Sequence, residues 1–375
     1  MTKQTIAIVI YANADHYPPT INAVHLLAKY YDVILICRNQ DPFTWDYPDN
    51  VSLYRLGQYC SVREKEQQRL WSKLQEYINF IWQCRQILAN VSLIYAYDAF
   101  GYVAACLSTH KIPLIYQNHD LNIERLPLSS LSGWVQKAEQ AWSNRAQILV
   151  FPSLERAQYF QNLTKYSGLI KIVPNYPRIS FLQRNENFDN LIAKRFSHKE
   201  ILLQGAISRQ NSLGELLESL DYLDNSISLK LIGPLKQKEN FSANKRVKYI
   251  DSVPYKELTT HTQQASIGVC LYKKIGLNYE TMATASNKIY EYAACGLPVI
   301  VSDMPNYRKY LEQESWISFA DPDNPNSIAM AVKNIFSDLE QYHSMSWAAR
   351  RAFEEKYNYE LAFDSIVIIV QELLS

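Results

Sequence analysis

No stretch of this sequence approaches the roughly 18 consecutive apolar residues that a membrane-spanning helix needs. The apolar run in the opening MTKQTIAIVIYANAD is only five residues long, too short for the core of a signal peptide, and reads as a first β-strand. A cytoplasmic protein, at most peripheral on the inner face of a membrane, is the expectation. Charge of either sign is not in excess: 38 Lys and Arg face 37 Asp and Glu, for a formal net charge of +1. Nucleic-acid binders normally carry a strong basic surplus, so that class is excluded, although a local basic patch for a phosphorylated ligand is not. The six cysteines, at 37, 60, 84, 106, 270 and 295, form no C-x-x-C pair, and no histidine cluster stands near them at zinc-finger spacing. Cys37 and Cys270 sit inside apolar runs, as buried thiols of a reducing compartment would. Glycine is missing from residues 11–19, YANADHYPP, directly after the first apolar run. A nicotinamide-dependent dehydrogenase needs G-x-G-x-x-G at that place, and it is excluded with it.

What the sequence does contain is a rhythm. Its 375 residues exceed what one hydrophobic core usually organises, and 47% apolar with 20% charged is ordinary for a globular protein. Short β-branched runs at 5–11, 33–37, 51–56, 93–97, 114–117, 148–151 and 171–173 alternate with helical patterns at 19–30, 62–89, 99–109 and 131–145. Strand, helix, strand in this order predicts a parallel sheet covered on both faces. The polar stretch 178–199, RISFLQRNENFDNLIAKRFSHK, has no clear period and reads as a linker. The rhythm then resumes, with strands at 201–204, 228–232, 248–249, 267–271, 298–302 and 317–319. Helices are expected at 213–220, 255–264, 287–294, 306–310, 325–337, 340–357 and 359–374. Two doubly wound α/β domains, 1–177 and 200–357, would create a cleft, with ligands at the carboxyl ends of the strands.

The segment 286–303, SNKIYEYAACGLPVIVSD, carries the most chemistry. A polar pair opens a helix, Gly296 ends it, and 297–302 is a buried strand. Lys288 and Glu291 lie three residues apart, on one helix face and about 4.5 Å apart along the axis. A helix N-terminus favours anions, and a lysine there suits a diphosphate. A carboxylate one turn deeper can accept both vicinal hydroxyls of a ribose. Taken alone, a K-x-x-E spacing is more often a solvated ion pair on an amphipathic helix.

The run N-K-x-x-E-Y-x-A-x-G-x-P-V-I resembles the donor-binding segment of GT-B-fold glycosyltransferases, in particular the retaining family four, and the order of elements agrees over nearly the whole chain. The resemblance implies two facing Rossmann-like domains, with the final helix, 358–375, crossing back to the N-terminal one. It implies that Glu291 holds the donor ribose and that Ser286, Asn287 and Lys288 stand near the diphosphate. Gly205, in Leu203-Gln204-Gly205-Ala206, would let the backbone approach the donor. Arg209 resembles the arginine that neutralises the diphosphate, although the usual lysine partner is missing. Gly233, in the turn after 228–232, and Val253, where backbone groups meet the base, complete the donor side. In the N-terminal domain His119, in YQNHD, resembles a histidine beside the transferred sugar.

Two positions depart from the family. A second glutamate is common eight residues before the ribose-binding one; here that place is Ala283, with Glu280 out of register. The first strand ends without glycine, but with Asp15 and His16, which could do chemistry or form an ordinary turn. For an inverting reaction Asp15, His16, His119 or Asp120 could serve as the base; His119 could equally be a histidine satisfied by Asp120. With retention the leaving phosphate can take the acceptor proton. Arg209, Lys288 and the helix N-terminus would stabilise the leaving diphosphate. The only D-x-D, Asp321-Pro322-Asp323, reads as a turn, so neither metal nor cofactor is expected and the nucleotide-sugar is a substrate.

The partners implied are a nucleotide-sugar donor, expected to carry uridine, and a saccharide or lipid-linked acceptor of polysaccharide or glycolipid synthesis. Segment 62–89 interleaves Arg63, Lys65, Arg69, Lys73 and Arg85 with Trp71, Tyr77, Phe80 and Trp82, and 121–142 holds Leu126, Leu128, Leu131, Trp134 and Trp142. Such helices can rest on a membrane or simply bury an aromatic face. The competing readings are a non-catalytic donor-binding or scaffolding homologue and a nucleotide-sugar epimerase of the same fold.

Overall fold

The computed structural model describes residues 3–40, 45–59, 69–181, 187–236, 241 and 244–375. The chain divides into two compact units, Met1–Pro174 with Ala362–Ser375, and Asn175–Leu361. In the first unit seven parallel strands run in the order β3-β2-β1-β4-β5-β6-β7. They are β1 (Thr5–Ile10), β2 (Asp32–Arg38), β3 (Val51–Leu56), β4 (Leu93–Tyr97), β5 (Leu114–Gln117), β6 (Ile148–Phe151) and β7 (Leu169–Ile172). β1 lies at the centre, with Ile6 opposite both Val33 and Leu93. The strand order reverses there, between β1 and β4, and that is where an open α/β sheet opens a crevice at its carboxyl edge.

The second unit repeats the plan with six strands in the order β10-β9-β8-β11-β12-β13. They are β8 (Glu200–Gln204), β9 (Ser228–Ile232), β10 (Val247–Ile250), β11 (Ile267–Cys270), β12 (Val299–Ser302) and β13 (Ile317–Ala320). Its switch point falls between β8 and β11. Every strand expected from the sequence is present, with ends shifted by at most two residues. The reason is burial on both faces: in β4, β5, β6, β8, β11 and β12 every residue is buried, so each reads as an apolar run with polar residues only at its ends.

The helices were less legible. Leu154–Thr164 is a helix where no element was expected. It buries only Arg156, Ala157 and Phe160, too few for an apolar stripe, and Ser153 caps it by accepting from the Arg156 amide at 3.2 Å. The stretch 178–199 is not an irregular linker throughout, because Phe188–His198 is a helix of the second unit. Its buried face is Ile192 and Arg195, and a charged residue at a core position hid the period. Arg195 donates to the carbonyls of Gln263 at 2.7 Å and Cys295 at 2.9 Å, which lets a guanidinium sit in the interior. Part of the expected helix 62–89 lies outside the described residues; the helix described is Leu70–Ile87. The last helix, Tyr359–Leu374, buries Tyr359, Phe363, Ile366, Val367 and Val370 along one face. From Ala362 onward it is part of the first unit, where Gln4 donates to the Leu374 carbonyl at 3.0 Å. The cysteines at 37, 84, 106, 270 and 295 are free and buried.

Gly101, in the helix Asp98–Ser108, sets how closely that helix approaches β1. A Cβ there would stand 2.7 Å from the carbonyl oxygen of Val9. Gly101→Ala is therefore expected to destabilise the protein by about 1–3 kcal/mol through overpacking, read as a lower denaturation midpoint with an unchanged slope.

Candidate functional site

At the carboxyl edge of the second sheet two strand ends and one helix converge. β8 ends in Gln204 and turns at Gly205, whose φ is +87°; β9 ends in Ile232 and turns at Gly233, φ +134°. Only glycine takes both conformations without strain, and both are also packing requirements. A Cβ on Gly233 would stand 2.1 Å from the Gly205 oxygen, and one on Gly205 would stand 2.7 Å from Lys288 Cε. Gly205 thus makes room for the Lys288 side chain, whose Nζ lies 5.0 Å from the centre of the Tyr272 ring.

The helix Asn287–Ala294 carries Lys288 and Glu291. Lys288 and Glu291 do not form the ion pair that their spacing allowed. Glu291 is instead buried and held on both oxygens: Tyr255 Oη donates to Oε1 at 2.9 Å and Gln204 Nε2 to Oε2 at 2.6 Å. Thr262 Oγ1 sits 2.9 Å from Gln204 Oε1 and orients that amide. Tyr255 and Thr262 lie two turns apart on the helix Tyr255–Gln264, so one helix face braces the carboxylate directly and through Gln204. Burial pushes the Glu291 carboxyl up to about 7, against the lowering effects of Tyr255, Gln204 and Lys288. Gln204, Tyr255 and Thr262 were not singled out from the sequence. The available signals were the polar residue ending an apolar strand and the i,i+7 pair behind Pro254.

Ser286 is buried just before this helix, 3.2 Å from the Cys270 sulfur, and Asn287 is half-buried. Arg209 is exposed in the short turn Arg209–Asn211, beyond β8, and Val253 is half-buried after β10. Ala283 is fully buried, with its carbonyl accepting from Tyr290 Oη at 2.5 Å; Glu280 stands half-buried in the short helix before it. Asp321 and Asp323 lie in the turn before the helix Pro325–Ile335.

In the first unit, His119 follows the end of β5 beside Asp98, at the end of β4. Asp98 accepts from the His119 amide at 2.7 Å and lies 3.0 Å from Nδ1, so the carboxylate sets that nitrogen as the donor. The imidazole stacks on Tyr97 at 4.7 Å and Tyr17 at 5.3 Å. Its Nε2 is buried and makes no hydrogen bond. Asp98 holds this position with φ +55°, a left-handed conformation rare outside glycine. The histidine is therefore satisfied by Asp98 and not by its neighbour Asp120, which is exposed and 3.5 Å from Arg156. Adjacent parallel strands brought in a carboxylate that chain order does not reveal. Asp15 is buried, bound to Arg55 Nη2 at 2.5 Å and to the Tyr47 hydroxyl at 2.8 Å, while His16 is exposed. The structure thus gathers His119, Asp98, Tyr97 and Tyr17, and draws Asp15 into an ion pair.

Two doubly wound parallel sheets of this order are the fold of the GT-B glycosyltransferases. Residues 186–352 match the family described as Glycosyl transferases group 1. Sucrose-phosphate synthase from Thermosynechococcus elongatus has a similar structure, with a TM-score of 0.74 at 14% identity over 99% of both chains. WaaG, a glycosyltransferase involved in lipopolysaccharide biosynthesis, gives 0.70 at 13% identity over 97% of this chain and 99% of its own. Anabaena HepE in complex with UDP and glucose gives 0.68 at 13% identity, over 98% and 99%. No curated protein matches the sequence.

A carboxyl raised to about 7 in the fold, against about 4.5 in the unfolded chain, is a stability cost with a defined pH window. Below pH ~4.5 both states are protonated; as the pH rises to 7 the unfolded chain ionises first, and stability falls. The deficit is complete above 7 and amounts to roughly 3 kcal/mol at most. Glu291→Gln, which can still accept from Gln204 and donate to Tyr255, is expected to match wild type near pH 4 and to exceed it in melting temperature at pH 8. Equal pH profiles for the two proteins would show that Glu291 is not held as described.

Proposed function

We propose that this protein transfers a sugar from a nucleoside-diphosphate sugar, with uridine as the base, to a saccharide or lipid-linked acceptor in polysaccharide or glycolipid synthesis. The observation that carries this reading is the oriented Glu291 carboxylate, one helical turn beyond Lys288 and beside the Gly205 and Gly233 turns. The group 1 match over 186–352 and the UDP and glucose bound by HepE support it. Glu291 receives the ribose hydroxyls, Asn287 and Ser286 border the diphosphate, and Val253 borders the base.

Departure of the diphosphate leaves positive charge on the sugar and negative charge on the phosphate. Lys288, Arg209 and the amides that open the helix Asn287–Ala294 meet the negative charge as it develops. That arrangement needs no divalent metal. We read the reaction as retaining, with the leaving phosphate taking the acceptor proton. His119, oriented by Asp98, stands beside the transferred sugar in this reading, and in an inverting reaction it is a candidate base.

Contact with a membrane fits one further observation. In the helix Leu70–Ile87 the side chains of Leu70, Trp71, Ile78 and Trp82 are exposed, as are Leu128 and Trp134, while Tyr77 and Phe80 face the core. Arg69 and Arg85 flank that apolar stripe, a composition that suits an anionic lipid surface. Trp71→Ser with Trp82→Ser is expected to lower co-sedimentation with phosphatidylglycerol vesicles at least several-fold without changing the melting temperature. Unchanged sedimentation would remove the membrane from this reading.

The deciding experiment is release of nucleoside diphosphate from uridine, guanosine and adenosine diphosphate sugars, with and without chelator. Slow release from the uridine donors is expected, unaffected by chelator. It should drop on the order of 10²-fold in Lys288→Ala, which removes one fixed donor to the leaving group, and be lost in Glu291→Ala. No release, together with no donor-induced rise in melting temperature, would bring the scaffolding reading forward.

A further inference from the structure

We infer that Asn175 is a positioning residue for the diphosphate end of the donor site. Its amide fastens the turn Thr284–Ser286, and with it the opening of the helix Asn287–Ala294. The chain enters the second unit at Asn175, and the residue is 7% exposed. Its main-chain N–H donates to the Thr284 carbonyl at 3.0 Å, and its side-chain Nδ2 donates to the Ala285 carbonyl at 2.8 Å. A carbonyl only accepts, so the nitrogen of the side-chain amide, and not its oxygen, must face Ala285. Oδ1 makes no hydrogen bond.

The turn needs an outside hold because the helix does not cap itself. Ser286 occupies the N-cap position, yet its side chain bonds no helix amide and lies 3.2 Å from the Cys270 sulfur. An uncapped start leaves the first amides available to an anion, and their direction then depends on the turn before them. Asn175 fixes that turn. The Ala285–Ser286 peptide is planar; Asn175 holds its carbonyl, and the Met282 carbonyl accepts from its N–H at 2.9 Å. Held on both edges, the plane cannot rotate. The carbonyl one peptide earlier, that of Thr284, is bonded to Asn175 as well.

The residues after Asn175 give it a firm base. Tyr176 packs edge-on against Tyr290, within the helix, at 4.3 Å, and Tyr290 Oη donates to the Ala283 carbonyl. The Pro177 carbonyl accepts from the Tyr359 amide at 2.9 Å, and the Ile179 amide donates to Glu360 Oε2 at 2.9 Å. The Phe181 ring lies 5.7 Å from that of Tyr255, whose hydroxyl donates to Glu291. Residues 175–181 therefore meet this helix at the turn before it, along its length and behind its carboxylate. Asn175 and Ala285 are 110 residues apart, so no spacing in the chain shows the link.

The consequence for a nucleotide is selective. Glu291, deeper in the helix, receives the ribose, whereas the amides at the helix start meet the diphosphate. Loss of the fastening should weaken the hold on the diphosphate and spare the nucleoside. That selectivity rests on the transferase reading; the fastening does not, and two measurements on the full chain separate them. The first is amide exchange of the nucleotide-free protein, read by mass spectrometry. Asn175→Ala and Asn175→Asp should each speed exchange at Ser286 roughly tenfold, the worth of one lost hydrogen bond, with β9 unchanged. Aspartate has the shape of asparagine but offers Ala285 no donor at pH 8, so a role in packing alone would leave that variant like wild type. The second is binding of UDP and of uridine, by calorimetry and ligand-observed NMR. Both variants should bind UDP about tenfold more weakly and uridine within about twofold of wild type. Faster exchange with no nucleotide bound by any of the three proteins would leave the fastening in place and remove the transferase reading, the diphosphate role with it. Unchanged exchange at Ser286, wild-type behaviour of Asn175→Asp, or equal weakening of UDP and uridine would each overturn the inference.

Discussion

A carboxylate taken out of water must be paid for with hydrogen bonds, and around Glu291 that requirement organises the carboxyl edge of the second sheet. Gln204 at the end of β8 and Tyr255 and Thr262 on one helix face converge on it, and the Tyr292 hydroxyl fixes the Gln204 backbone by accepting from its main-chain N–H at 3.1 Å. The same need for close approach explains the paired glycines. With a Cβ at Gly233 the β8 and β9 turns could not touch, and with one at Gly205 Lys288 could not occupy its place. The strand ends, the helix and the cation are therefore one arrangement, and a change at any member is felt by the others.

The first unit solves a similar problem differently. Its candidate centre is an imidazole fixed by a carboxylate from the neighbouring strand and flanked by two tyrosine rings. Asp98 is held in a strained left-handed conformation, and it satisfies both the amide and Nδ1 of His119 from there. Strain of this kind persists only where the surroundings over-determine it. A second buried acid, Glu139, hydrogen-bonded by Tyr116, is likewise pushed by burial up to about 7. Among the described residues, each unit thus carries an interior carboxyl that burial pushes up toward neutrality.

Much of the fold was legible because parallel strands buried on both faces cannot hide. Runs such as ILL at 201–203 and VIV at 299–301 are apolar for their whole length, and no turn or exposed helix reads that way. Helices were legible only where their buried stripe is apolar. Phe188–His198 was lost to a linker because Arg195 takes a core position, and Leu154–Thr164 because it buries three residues. The glycines singled out at 205 and 233 stand where φ is positive and space is short.

The sequence by itself determined the strand rhythm, the two-unit α/β class and the place of Lys288 and Glu291 on one helix, since burial and helical spacing are local properties that the chain states directly. Tertiary structure alone decided what those residues touch. Asp98 is 21 residues from His119, Gln204 is 87 from Glu291, and Arg38 is 38 from Glu76. Parallel crossovers separate neighbouring strand ends by a helix each, so the partners of a buried charge lie beyond the reach of any spacing rule.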